Sequence, residues 1–207
     1  MDELSEFPFL TRAEFLRCID HFEEQFGSLI EIRRDIHKHQ QFVRIYQPLF
    51  SPDTSNSDVQ IDEIENVEDF DPVEALADDV PAATRTVCGQ VEYHVVYSAS
   101  WRVPVLYMRV VLSEPSRVVL DAEQVTNLLV ADQQVRGAIK AVEFGGALGI
   151  QDHPVLNEPF VYLHPCHTAT LLRAVGVTID AKNYMSAWLS LTGSAVGLTL
   201  PLFMKQL

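Results

Sequence analysis

The sequence predicts an α+β fold, an antiparallel sheet with helices packed on one face, and three observations carry that prediction. Near the start, Thr11 and Glu14 form a helix-opening pair ahead of a run whose apolar residues recur at helical spacing. In mid-chain, residues 91–97 alternate with period two, and the strongly apolar residues 103–112 follow across Ser98-Ala99-Ser100, the pattern of an antiparallel hairpin. Beyond it, helix and strand patterns alternate without an internal repeat, which suits a single layered domain over residues 1–207.

In the first helix, Leu10 and Phe15 take the staple positions around the cap, while Phe15, Cys18, Ile19, Phe22 and Phe26 share one face and Gly27 ends the run. Cys18 thus falls in a core stripe, where an unpaired cysteine acts as a small hydrophobe. Residues 29–48 are mixed, with Arg33, Arg34, His37, Lys38 and His39 as a solvated basic edge before the strand Phe42-Val43-Arg44-Ile45-Tyr46. In the hairpin, Val91, Tyr93, Val95 and Tyr97 make the more apolar face, against Glu92, His94 and Val96. Residues 121–130 read as a short helix capped by Asp121, with Val125, Leu128 and Leu129 inward. Residues 131–150 give no clear pattern. A last strand, residues 160–163, meets His164-Pro165-Cys166, where Pro165 ends pairing and Thr168 opens a helix containing Leu171, Leu172 and Val175.

Charge is distributed unevenly. Of 29 acidic residues, eleven lie between 51 and 80 without one Lys or Arg, so the rest of the chain sets 18 acids against 15 bases. Residues 51–83, rich in Asp, Glu, Ser, Asn and Pro, are therefore predicted to be an acidic disordered insertion. Within it, Val73, Leu76, Ala77 and Val80 keep helical spacing, enough for a short segment to fold on a partner. A net charge of -14 demotes nucleic acid as a ligand. Three cysteines cannot all pair internally, and the first residues lack the pattern of a secretory signal, which points to the reducing cytosol. Residues 183–204 are uncharged, but Ser186, Ser190, Thr192, Gly193, Ser194, Gly197 and Pro201 dilute their apolarity, so a buried element of the core is expected in place of a membrane span.

The phosphate-binding, dinucleotide, GxSxG and HExxH signatures are missing, and no cofactor is expected. What remains is His153-Pro154 with His164-Pro165-Cys166-His167, the densest grouping of imidazoles and thiol in the chain. As a metal site it is poor, because His164, Cys166 and His167 are too close in sequence to converge on one tetrahedral ion and no second ligand pair accompanies them. A Cys-His protease needs an orienting third group that is not identifiable. Two readings stay open: a packed corner cysteine, or a nucleophile such as a thioester carrier, whose chemistry needs little besides an exposed sulfur.

Three blocks of sequence narrow the choice. Tyr93-His94-Val95-Val96-Tyr97-Ser98 leads to Trp101-Arg102-Val103-Pro104-Val105-Leu106-Tyr107; Asp152-His153-Pro154-Val155-Leu156 leads through Pro159-Phe160 to Leu163-His164-Pro165-Cys166; and Trp188-Leu189-Ser190 leads to Gly197-Leu198 and Leu200-Pro201. In order and spacing they resemble the E2-like conjugating enzymes of autophagy, across most of residues 93–202. The resemblance implies an E2-like fold and a catalytic Cys166. That cysteine would receive the ubiquitin-like modifier, autophagy-related protein twelve, as a C-terminal glycyl thioester from the E1-like protein seven. It would pass the modifier to a lysine of protein five, in the cytoplasm or at the site where the autophagosome membrane forms. No metal and no cofactor is expected. Ubiquitin E2 enzymes carry His-Pro-Asn where Val155 follows His153-Pro154 here, so an oxyanion donor must come from elsewhere. His164 is one candidate, with Tyr97 and Tyr107 behind it, although packing accounts for all three. The alternative is a noncatalytic E2-like module that binds proteins and leaves the sulfur unused.

Overall fold

Helix α1, Arg12–Phe26, begins where the capping pair places it. The Glu14 N–H donates to the Thr11 hydroxyl at 3.2 Å, and the Glu14 carboxylate accepts the Thr11 N–H at 2.7 Å. Phe15, Cys18, Ile19 and Phe22 are buried along its inner face. The computed structural model describes residues 3–27, 31–35, 40–51, 86–130 and 148–198. The acidic insertion, His37, Lys38 and His39 of the basic cluster, and the end of the uncharged tail lie outside the described residues.

Among the described residues seven strands form one antiparallel sheet: β1 (Glu31–Asp35), β2 (Gln40–Phe50), β3 (Val87–Ser98), β4 (Val103–Ser113), β5 (Ser116–Val119), β6 (Leu148–Asp152) and β7 (Pro159–Leu163). Their order is β1-β2-β3-β4-β7-β6, with β5 paired to the end of β4. The β3–β4 hairpin is antiparallel as expected, with Ser98 opposite Val103 and Val91 opposite Val110. β1, β5 and β6 are too short, or too mixed in pattern, to declare themselves in the sequence.

One face of the sheet is the main core. Val43, Ile45, Val91, Tyr93, Val95, Leu106, Met108 and Val161 meet α1, α2 (Ala122–Leu129), α3 (Thr168–Ala174) and α4 (Ala181–Thr192) there. The fold is thus the α+β layer the periodicities predict, with its helices on one face. Asp121 caps α2 by accepting the Gln124 N–H at 2.7 Å, as expected. The uncharged C-terminal stretch buries Tyr184, Met185, Trp188 and Leu189 on α4, and no helix among the described residues is long and apolar enough to cross a membrane. Val175 departs from its expected inward place: α3 stops at Ala174, and Val175 lies in the turn at 43% exposure.

The opposite face, which the alternation of β3 makes the more polar, is also covered. Residues 153–158 turn back over it, closed by the Asn157 N–H on the His153 carbonyl at 2.8 Å and the His153 N–H on the Glu158 carbonyl at 2.8 Å. A second apolar cluster of Phe42, Val96, Val105, Tyr107, Val155 and Phe160 fills the space beneath.

Candidate active site

Strand β7 carries the chain to the site, bridging β4 (Leu106 opposite Leu163) and β6 (Leu148 opposite Leu163). Pairing stops there because Pro165 has no N–H to give. The chain then turns through a single 3-10 turn, Pro165–His167, and enters α3. Pro165 is buried and Cys166 exposed, so the corner points the sulfur at solvent. All three cysteines are free thiols: Cys18 is buried, Cys88 half-buried and Cys166 exposed. Burial pushes the Cys18 thiol up to about 12, which keeps it protonated and inert as the helical stripe predicts.

Around Cys166 the structure gathers aromatic and imidazole rings. The Cys166 N–H donates to His164 Nδ1 at 3.2 Å. The Trp101 ring meets the His164 ring at 5.1 Å, nearly perpendicular at 80°, and Tyr162 stands 6.1 Å away on the same imidazole. Gly149 of β6 makes room for that tyrosine, since a Cβ there would lie 3.1 Å from Tyr162 Cε1. The two tyrosines weighed as oxyanion donors are engaged in packing: the Tyr97 hydroxyl donates to the Leu10 carbonyl at 2.8 Å, and Tyr107 is buried against Tyr162 and His153. Among the described residues no three His, Cys, Asp or Glu side chains are grouped to hold a metal ion.

The structure does not bring His153 to Cys166, although the sequence places both in the histidine-rich stretch. His153 is fully buried on the covered face, packed against Phe42, Tyr107 and Phe160. Its Nδ1 accepts the Val155 and Leu156 N–H groups, each at 3.2 Å, which leaves the ring proton on Nε2. That Nε2–H points to His94 Nδ1 at 3.1 Å, and His94 Nε2–H in turn to Glu92 Oε1 at 2.8 Å. Because His94 Nε2 is then a donor, the Arg44 Nε–H goes to Glu92 Oε1, at 3.0 Å. Arg109 holds the other carboxylate oxygen at 2.8 Å and reaches Glu158 at 2.7 Å.

Burial alone would raise the Glu92 carboxyl, but hydrogen bonds from His94 and Arg109, with the arginine charge, hold it at about 2. Burial pushes His153 down to about 3 and lowers His94 as well, so both rings are neutral at pH 7 and the donor order is consistent. Sequence reasoning passed over this network. Its signal is the placement of Glu92, His94 and Arg109 inside otherwise apolar strands, since an ionised side chain there needs partners.

A family model, "Autophagocytosis associated protein, active-site domain", matches residues 14–203. The chain belongs to this family. Membership agrees with the resemblance of the three sequence blocks, and the matched region contains the whole sheet and the Cys166 corner. Among relatives, the protein named ubiquitin-like-conjugating enzyme ATG10 of Homo sapiens is 38% identical over 118 residues, 54% of this chain and 50% of that protein. Its counterpart in Arabidopsis thaliana is 31% identical over 121 residues, 55% of this chain and 51% of that protein. The chain therefore spans about half the length of the curated relatives it matches. A crystal structure described as autophagic E2, Atg10, aligns over 91% of this chain and 98% of its own, with a TM-score of 0.47 and 13% identity.

Proposed function

We propose that this protein is an E2-like conjugating enzyme of autophagy in which Cys166 carries a ubiquitin-like modifier as a thioester. The observation that carries the reading is the Cys166 corner: an exposed thiol, set by β7 and a buried proline, inside the region that matches the family's active-site domain. Loading is a thiol exchange. The Cys166 thiolate attacks the carbonyl of the modifier's C-terminal glycine on the E1-like enzyme, a new C–S bond forms, and the E1 thiol leaves. In discharge a lysine amine attacks the same carbonyl, an isopeptide bond forms, and Cys166 leaves as thiolate while the amine proton passes to water. Burial makes Cys18 unsuited to either step. We assign autophagy-related protein twelve as modifier, protein seven as E1-like donor, protein five as acceptor, and the cytoplasm as the place of reaction.

Incubation with the E1-like enzyme, ATP and modifier tests the proposal. On a nonreducing gel a modifier-loaded band is expected, and a thiol reductant removes it because thiols cleave thioesters and not isopeptide bonds. Cys166→Ser converts it to a reductant-stable ester or abolishes it. A labile adduct that persists in Cys166→Ala and is lost in Cys18→Ala would overturn the site. A protein that only binds its partners gives no adduct.

A further inference from the structure

We infer that His164 is a positioning residue for this reaction, holding the backbone of Cys166 through Nδ1 and not shuttling a proton to or from the reacting groups. The inference rests on the reading of Cys166 as the thioester carrier. Cys166 sits in a 3-10 turn of three residues, whose opening N–H groups have no partner within the turn. Pro165 removes one of them, so the Cys166 amide is the first that needs an acceptor. His164 supplies it: its backbone is extended, at φ -64° and ψ 130°, and its Nδ1 takes the Cys166 N–H at 3.2 Å.

The imidazole is itself held. Trp101 stands against it at 5.1 Å and Tyr162 at 6.1 Å. The backbone at Trp101 is held by its turn, where the Trp101 backbone N–H donates to Ser98 Oγ at 3.3 Å and the Arg102 N–H to the Ser98 carbonyl at 2.7 Å. Arg102, in the left-handed region at φ 57°, accepts the Leu10 N–H on its carbonyl at 2.7 Å, which ties the turn to the N-terminal segment. Two distant parts of the chain thus converge to orient one ring, and that ring orients the backbone bearing the sulfur. A second consequence follows from the same bond. With its N–H given to His164, the Cys166 amide is not free to receive the oxyanion of the tetrahedral intermediate.

Three substitutions of His164 separate the possibilities. The Asn side-chain oxygen takes the place of Nδ1, whereas the Gln amide reaches the place of Nε2. Two readouts apply: single-turnover transfer of modifier from the charged E1-like enzyme to Cys166, and hydrogen exchange of the Cys166 amide by NMR. His164→Ala is expected to slow transfer roughly tenfold and to deprotect the amide, because small misplacements of a reacting group cost rates of that order or more. Asn recovers most of both losses and Gln recovers neither. Should the alanine variant fail to fold, Trp101→Ala loosens the same ring, and faster exchange at Cys166 is expected of it. Recovery by Gln, wild-type transfer in the alanine variant, or unchanged amide exchange in it would overturn the inference. A wild-type protein that takes no modifier on Cys166 would instead sink the carrier reading, while amide exchange still decides whether His164 holds the backbone.

Discussion

Glu92 shows how far one charge can be carried into a sheet when its partners are built around it. Its side chain is only 9% exposed, yet both oxygens are occupied, by His94 and Arg44 on one side and Arg109 on the other. Removing one member of such a set leaves the rest buried and unpaired, so Glu92→Gln should cost about 3 kcal/mol in urea denaturation. The neighbouring imidazoles set a pH dependence. His94 and His153 are held below the ordinary 6.5, His153 at about 3, so as pH falls from 6.5 the unfolded chain takes up protons that the folded one refuses. Stability is full above pH 6.5 and is lost as pH falls toward 3. Glu14 and Glu92, held at about 2 against an ordinary 4.5, add a loss of the same sign below pH 4.5. His153→Asn keeps an acceptor for the Val155 and Leu156 amides but cannot be protonated, and should flatten the slope between pH 6.5 and 4.5. Equal urea midpoints at pH 7 and pH 4 in the wild type would contradict this account. The thiol and imidazoles at the corner carry a separate expectation: elemental analysis of purified protein should find no stoichiometric zinc, and one zinc per chain lost on His167→Ala would revive a metal reading.

At the scale of elements, α1 is the clearest case of a local signal deciding local structure. Glu14 is buried, and beyond the capping box its second oxygen accepts the Ser5 N–H at 2.7 Å, so one carboxylate fixes both the helix start and the segment before it. Thr11→Ala should cost about 1 kcal/mol and Thr11→Ser almost nothing, measured by urea denaturation, since serine can make the same cap. The β7–α3 corner is local in a different sense. Its strand end, proline and helix start are all legible in His164-Pro165-Cys166, but the exposure of the sulfur depends on Pro165 packing inward.

For the whole molecule the question is what the acidic insertion does, because it holds most of the net charge. The sheet leaves and re-enters at one place: the Ser51 N–H donates to the Thr86 carbonyl at 2.8 Å, where β2 and β3 come together. A deletion of residues 52–80 can therefore close across the gap without pulling the strands apart, and the thermal midpoint should stay within a few degrees of the wild type. If charge steers the encounter with the E1-like enzyme, the deletion should slow single-turnover loading of Cys166 at low ionic strength, and added salt should shrink the difference by screening. Equal loading rates at low salt would reduce the insertion to a linker.

Helix α1, the hairpin and the cysteine corner were legible because each rests on interactions between residues near in sequence: a cap four residues long, a two-residue alternation, a proline that cannot donate. The sequence by itself also pointed to Cys166, through the imidazoles beside it and the three blocks that resemble the family, while the helical stripe explains Cys18 as core. Only the tertiary structure could separate His153 from His164. Eleven positions apart in the chain, they divide between a buried network and the turn that bears Cys166 because residues 153–158 fold back over the sheet before β7 begins. Burial of Glu92 and His94 was likewise beyond periodicity, which assigns them a face but does not say what covers it. Their partners Arg44, Arg109 and His153 lie on different strands and loops, and hydrogen bonds between such distant residues exist only once the sheet has brought them together.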